Sequence, residues 1–207
     1  MRLTITTFLT LDGVIQAPGA PDEDTQGGFP HGGWQVPYVD DDNVRLINSW
    51  FENADAFLLG RRTYDIFASY WPRVTDEHEH NLVARKLNTL PKYVASSSTV
   101  DTSVWQHSVA LTGDVPQQVA ELKQQPGNEL QIHGSGRLAQ SLMAHGLIDE
   151  YRLLTYPIVL GSGQRLFDDA SAAALQLVDL TRTGSGAVVA IYQPSGRPAY
   201  GSFALDA

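Results

Sequence analysis

Three short stretches combine glycine, arginine and hydroxyl side chains in patterns that can hold an anion. His133-Gly134-Ser135-Gly136-Arg137 follows the apolar run Leu130 to Ile132 and precedes Leu138, Leu142 and Met143, which recur at helical spacing up to Gly146, placed as a C-cap. Gly134 and Gly136 can take positive φ and let a ligand come close to the backbone. The first N–H groups of a helix have no partner within it and carry the positive end of its dipole. A pyrophosphate fits such a place, with Arg137 beside it. The alternative is an ordinary tight turn, since HGSGR is neither GxGxxG nor a Walker loop. Gly60-Arg61-Arg62-Thr63 lies between the short strand Ala56 to Leu59 and a helix with Tyr64, Phe67 and Ala68 on one face. Arginine at a helix start opposes the dipole unless an anion compensates, so this pair suits a phosphate. Ser96-Ser97-Ser98-Thr99 ends the strand Lys92 to Ala95, and its hydroxyls suit a phosphate or ribose, or serve only as a polar loop.

Other residues carry weaker signals. Leu11-Asp12-Gly13-Val14 is an Asp-Gly turn at the end of the first strand, Leu3 to Phe8. Asp12 either makes the turn or sits beside a ligand. Asp40-Asp41-Asp42 precedes Val44, Ile47, Phe51 and Ala54 at helical spacing, so at least one should cap that helix, with a catalytic carboxylate as the other reading. His78 and His80 are two apart in a predicted helix over 76–88 and point to different sides, so no metal site is expected. Phe29, Trp34 and Tyr38 lie in a long irregular stretch over 17–43, where they either stack on a ring or pin the loop to the core.

The elements that must position these groups alternate strand and helix. Val109 to Leu111 is a short strand, Asp114 caps a helix through Leu122, and Tyr151 to Tyr156 is the strand after the 138–143 helix. Leu175 to Thr183 and Ala187 to Tyr192 flank Gly184-Ser185-Gly186 as an antiparallel hairpin. The expected organisation is one α/β domain over residues 1–193 and a tail over 194–207. The chain has 207 residues, 43% hydrophobic and 18% charged, which supports a sizeable core and argues against disorder. A formal charge of −9 disfavours nucleic acid or an anionic membrane as partner. The absence of cysteine excludes disulfides, zinc–thiolate sites and a cysteine nucleophile, and fits a cytoplasmic protein. No apolar run approaches the roughly 20 residues of a membrane helix.

In an open α/β sheet ligands bind beyond the carboxyl ends of the strands, and all three anion-binding stretches begin at such ends. Two arginines and three serines suit a ligand with two phosphate groups, as in NADPH. No acidic residue follows the glycine turn at dinucleotide-fingerprint spacing, so a Rossmann NAD site is not indicated.

Five blocks, LTLDGVI at 9–15, FLLGRRTYD at 57–65, KYVASSST at 92–99, LQIHGSGRLAQSLMAHGLIDEYRL at 130–153 and PIVLGSGQRLF at 157–167, give the chain a wider likeness. It resembles the dihydrofolate-reductase-like superfamily, in the branch of the reductase domain of the bifunctional riboflavin-biosynthesis deaminase-reductase. The resemblance implies a three-layer α/β/α fold with a mixed, mostly parallel sheet and a C-terminal antiparallel hairpin. It implies NADPH, with Gly60, Arg61, Arg62 and Thr63 on the adenosine-side phosphates, Ser96 and Ser97 near the 2′-phosphate and adenine, and Gly134, Ser135, Gly136, Arg137 and Leu138 on the pyrophosphate. Leu11, Asp12, Gly13 and Val14 would sit near the nicotinamide. Homodimers are usual in that branch. The Asp-x-Pro-x-Leu-x-x-Arg element that holds the substrate phosphate in riboflavin reductases is missing from YDIFASYWPRVTDEHEH, and the acid that dihydrofolate reductases carry on their first helix has no clear match. The expectation is an NADPH-dependent reductase of a small heterocycle or sugar imine, with Asp12 as the candidate proton donor by position and bound water as the alternative. The competing reading is a protein that keeps the fold and binds a nucleotide without chemistry.

Overall fold

Strand β1 (Arg2–Thr10) is rich in β-branched residues and buried along almost its whole length, as a strand covered on both faces must be. In the computed structural model, which describes residues 1–74, 81–167 and 172–203, it is the centre of an eight-stranded sheet. The other strands are β2 (Ala54–Gly60), β3 (Lys92–Ala95), β4 (Ser108–Leu111), β5 (Glu129–His133), β6 (Glu150–Tyr156), β7 (Leu175–Arg182) and β8 (Val188–Pro194). Their order is β4-β3-β2-β5-β1-β6-β8-β7. The first six are parallel; β8 runs antiparallel to β6, and β7 to β8. The sheet is therefore mixed and mostly parallel, and it ends in the expected hairpin.

Helices cover both faces. On one side, α4 (Val115–Lys123) and α5 (Gly136–Ala144) bring Val119, Leu122, Leu138 and Leu142 against Leu3, Ile5, Leu130 and Ile132. On the other, α1 (Asp41–Glu52), α2 (Arg61–Tyr70) and α3 (Leu82–Thr89) bring Phe51, Tyr64 and Leu87 against Phe57, Leu59 and Val94. This is the three-layer arrangement. The predicted helix over 76–88 is described as α3, with Asn81 as its cap; residues 75–80, His78 and His80 among them, lie outside the described residues.

The α1 face of the sheet carries polar side chains. Glu129, Gln131 and His133 alternate with the apolar Leu130 and Ile132 along β5. Arg152 bonds Glu129 at 2.7 and 3.0 Å and Glu150 at 2.8 Å, while Arg2 closes the cluster at 2.7 and 3.0 Å. Buried charges survive only when paired in this way.

The stretch over 17–43 is pinned to the core, as one of its two readings had it. Trp34 and Phe29 are buried, Trp34 Nε1 donates to the Gln16 carbonyl at 2.8 Å, and Trp34 and Tyr38 pack on Tyr156. Asp40 caps α1, accepting from Asn43 N at 2.9 Å. Asp40 and Asp42 also accept from Ser185 N at 2.6 Å and Gly184 N at 2.8 Å, which ties the β7–β8 turn to the helix. These bonds, the Asn43 ones foremost, hold the Asp40 carboxyl well below the usual carboxylate range. The residues after β8 return to the hairpin, with Ser195 N donating to Ala174 O at 2.8 Å. Among the described residues no helix is long and apolar enough to cross a membrane, and no group of three His, Cys, Asp or Glu could hold a metal.

Candidate functional site

The carboxyl ends of β2, β3 and β5 open onto one cleft of about 1770 Å³. All three predicted anion-binding stretches line it: Gly60 to Thr63, Ser96 to Ser98, and Gly134 to Leu138. Parallel strands bring this about. Their carboxyl ends share one edge of the sheet, so residues far apart in sequence converge there.

The helix starts at this edge differ from the others. Asp40, Asn81 and Asp114 each cap a helix with a side-chain oxygen, on α1, α3 and α4. Gly60 and Ser135, which begin α2 and α5, make no side-chain cap bond. The first N–H groups of these two helices therefore lack the partner that the other three have, and they do so beside the cleft. The two turns are locked together: Gly60 N donates to Ser135 Oγ at 3.0 Å. Ser135 holds left-handed backbone at φ 57°, next to Gly134 at φ 58°. A non-glycine residue costs energy in that region, and such strain clusters where a ligand is clamped.

The cleft arginines are held by nearby carboxylates. Arg61 Nε lies 2.7 and 2.9 Å from the two oxygens of Asp65, and its Nη1 donates to Thr99 O at 2.6 Å. Arg62 Nη1 meets Asp24 at 2.6 Å, bridging the 17–43 stretch to the start of α2. Burial pushes the Asp24 carboxyl up, and the Arg62 guanidinium with further hydrogen bonds brings it below its ordinary value. Arg137 also lines the cleft, and no ion pair holds it among the described residues.

The first turn departs from expectation. Leu11, Asp12, Gly13 and Val14 do not line the cleft. Leu11 is exposed, Val14 is in the core, and the turn pairs with the distant 158–166 segment through Leu11 N to Ile158 O at 2.8 Å and Ile15 N to Gln164 O at 2.8 Å. Asp12 accepts from Thr10 Oγ1 at 2.6 Å, Gly161 N at 2.8 Å and Leu160 N at 3.2 Å, with Arg165 Nη2 at 3.5 Å. The Thr10 hydroxyl foremost, with the backbone donors, holds its carboxyl down to about 2. Asp12 is thus a loop tie, outside the residues that line the cleft. The next residues, Ile15, Gln16 and Ala17, line the cleft instead.

Sequence reasoning missed the opposite wall. Thr6 and Phe8 of β1, Asn43, Ile47 and Phe51 of α1, and His133 at the end of β5 line the cleft. His133 stacks on Phe51, with ring centroids 4.5 Å apart. Burial, with Arg152 nearby, pushes its imidazole down to about 3, so it is neutral. The Gln131 amide fixes its tautomer. Gln131 Nε2 donates to Trp50 O and Glu129 Oε2, both at 2.7 Å, so its Oε1 accepts from His133 Nε2–H at 3.1 Å. Nδ1 then carries the lone pair. The signal for this wall was the polar alternation Glu129, Gln131, His133, but its meaning depends on burial.

Glu23 was also missed. It lines the cleft and accepts from Gly19 N at 2.5 Å and Ala20 N at 3.1 Å, while burial pushes its carboxyl up.

Comparisons with known proteins agree with this architecture. The model of the RibD C-terminal domain matches residues 2–189. The uncharacterized protein YyaP of Bacillus subtilis is 24% identical over 196 residues, covering 94% of this chain and 96% of its own length. A solved structure named for riboflavin biosynthesis, from Shewanella sp. PV-4, superposes with a TM-score of 0.65 at 22% identity, covering 94% of this chain and 99% of the other. Dihydrofolate reductase from Enterococcus faecalis, solved with NADP(H), superposes with a TM-score of 0.60 at 11% identity over 94% and 96% of the two chains. The fold is dihydrofolate-reductase-like, and the chain belongs to the RibD C-terminal domain family.

Proposed function

We propose that the protein is an NADPH-dependent reductase of a small molecule. The observation that carries this reading is the pair of uncapped helix starts, α2 and α5, facing one cleft beside Arg61, Arg62 and Arg137. The residues fit the nucleotide. Gly60 to Thr63 and Gly134 to Leu138 would hold phosphates with backbone N–H groups, and Ser96 and Ser97 would meet the adenosine end. Arg61 and Arg62 would hold the 2′-phosphate, exchanging Asp65 and Asp24 for a dianion. When bound, NADPH supplies a hydride to a C=N or C=O carbon. The protein's own task is to place the acceptor on the α1 wall and exclude water from it. Glu23 is the cleft acid best suited to supply the proton, because burial favours its protonated form. A Glu23→Gln change should lower turnover and remove the fall of rate with rising pH that loss of the carboxyl proton causes, while leaving nucleotide affinity unchanged.

A second reading, a nucleotide-binding protein without chemistry, is favoured by one observation. The α1 residues facing the cleft are Asn43, Val44, Ile47, Asn48 and Phe51, with no carboxylate among them. NADPH oxidation followed by absorbance against a panel of imines, quinones and pteridines separates the two. Turnover excludes the passive binder, and tight binding with no turnover on any acceptor sinks the reductase.

The assembly we propose is a homodimer. β7 ends the sheet and exposes Leu177, Val178 and Leu180, an edge that a second copy would cover. Sedimentation at micromolar concentration should give twice the chain mass, and a strict monomer would remove this proposal.

A further inference from the structure

Part of the stretch between β1 and α1 forms a strap along the cleft, and its two flanks are held differently. Ala17 and Phe29 are buried, and residues 18–28 between them are exposed or half-buried. Gly27 and Gly28 take φ of 70° and 74° in open space, so the strap can bend there with no side chain in the way. Neutral bonds tie one flank. Gln16 Nε2 donates to Asp24 O at 3.2 Å and Gln26 O at 3.0 Å, and Gln164 Nε2 donates to Gln26 Oε1 at 3.0 Å. A charge ties the other. Arg62 Nη1 meets Asp24 Oδ1 at 2.6 Å and joins the strap to the start of α2.

That ion pair uses the guanidinium assigned above to the 2′-phosphate. Arg62 stands in the first turn of α2, where a cation opposes the helix dipole unless an anion offsets it. The Asp24 carboxylate is that anion here. A phosphate on the same guanidinium would crowd the carboxylate, and like charges at such range repel. Asp65, which pairs with Arg61, lies on α2 itself, so displacing it moves no other element. Asp24 belongs to the strap, so displacing it parts the strap from α2.

We propose that Asp24 is a built-in competitor for the 2′-phosphate. It latches the strap to α2, gives up Arg62 when NADPH binds, and shortens the stay of the nucleotide by taking Arg62 back. This rests on the nucleotide reading. It adds that NADPH frees the strap and that NADH, which lacks the 2′-phosphate, leaves it latched.

Asp24→Asn removes the charge and keeps the oxygen that accepts from Gln26 N at 3.0 Å, so it should fold. Asp22 is exposed and does not line the cleft, so Asp22→Asn controls for the loss of a nearby charge. NADP⁺ should bind Asp24→Asn about fivefold tighter than it binds the unaltered protein, chiefly through slower release, the factor expected of a half-exposed ion pair. NAD⁺ affinity should not change, and Asp22→Asn should change neither. Hydrogen exchange over residues 18–28 should quicken when NADP⁺ saturates the unaltered protein, should not quicken with NAD⁺, and should be fast in Asp24→Asn with no nucleotide added. No gain in NADP⁺ affinity, an equal gain for NAD⁺ or in Asp22→Asn, or exchange that NADP⁺ leaves alone or slows would overturn the proposal while the nucleotide reading stands. Binding of neither nucleotide to the unaltered protein or to Asp24→Asn would remove that reading, and the latch with it.

Discussion

Two kinds of helix start are found in this molecule, and the difference between them marks the site. α1, α3 and α4 begin with Asp40, Asn81 and Asp114, whose side chains accept from the backbone N–H three residues on. α2 and α5 begin with Gly60, which has no side chain, and Ser135, whose side chain makes no cap bond. Losing a side-chain cap costs about 1 kcal/mol of stability when alanine takes its place, and only a few tenths when glycine does. Both uncapped starts open on the same cleft, where arginines gather. An anion at such a place would take up N–H groups that have no side-chain partner.

The comparison breaks most visibly if a cap is added where none stands. A Cβ at Gly60 would lie 3.6 Å from its nearest neighbour, Ser135 Cβ, which is ordinary contact. Gly60→Asp should therefore fold, with melting temperature unchanged or raised. Its carboxylate would face the bound phosphates, and a repulsion of about 4 kcal/mol at 4 Å separation lowers NADPH affinity about a thousandfold. Retained affinity, measured by calorimetry, would mean that the α2 start does not meet a phosphate.

The arginines come next. Arg61→Ala with Arg62→Ala should weaken NADPH about a hundredfold, as charge-assisted bonds of about 1.5–3 kcal/mol each are lost. NADH, which lacks the 2′-phosphate, should change far less, and equal weakening of both would remove the assignment. A capped start supplies the converse. Asp114→Ala should cost about 1 kcal/mol in urea unfolding with nucleotide affinity untouched. A nucleotide effect there would blur the distinction between the two kinds of start.

The smallest effect concerns Asp12. Its carboxyl is held at about 2, below its unfolded value near 4. Its stabilising contribution is complete above pH 4 and is lost as pH falls toward 2. Asp12→Asn should flatten that part of the acid unfolding curve and leave NADPH binding alone. A loss of binding would return Asp12 to the cleft.

The layer order, the hairpin and the strand ends that line the cleft were legible in the sequence because each is a local pattern: a short apolar run, a turn, then a helical period. The contacts of the first turn were not legible, for the opposite reason. Its partners, Ile158, Leu160, Gly161 and Gln164, lie about 150 residues away, and nothing near Asp12 announces them. Trp34 and Phe29 could not be assigned for the same cause, since pinning and stacking use the same residue types until the core is seen. Thr6, Glu23 and His133 escaped because their chemistry comes from burial. A threonine in a strand is ordinary until its hydroxyl proves to lack a partner.

The most direct test of the central claim is the thermal stability of the purified protein with NADPH and with NADH. NADPH at 100 times its dissociation constant should add about 2.7 kcal/mol of stability, and NADH at the same concentration much less. No shift with either nucleotide would mean that the uncapped helix starts serve no such ligand, and the reductase reading would fall with them.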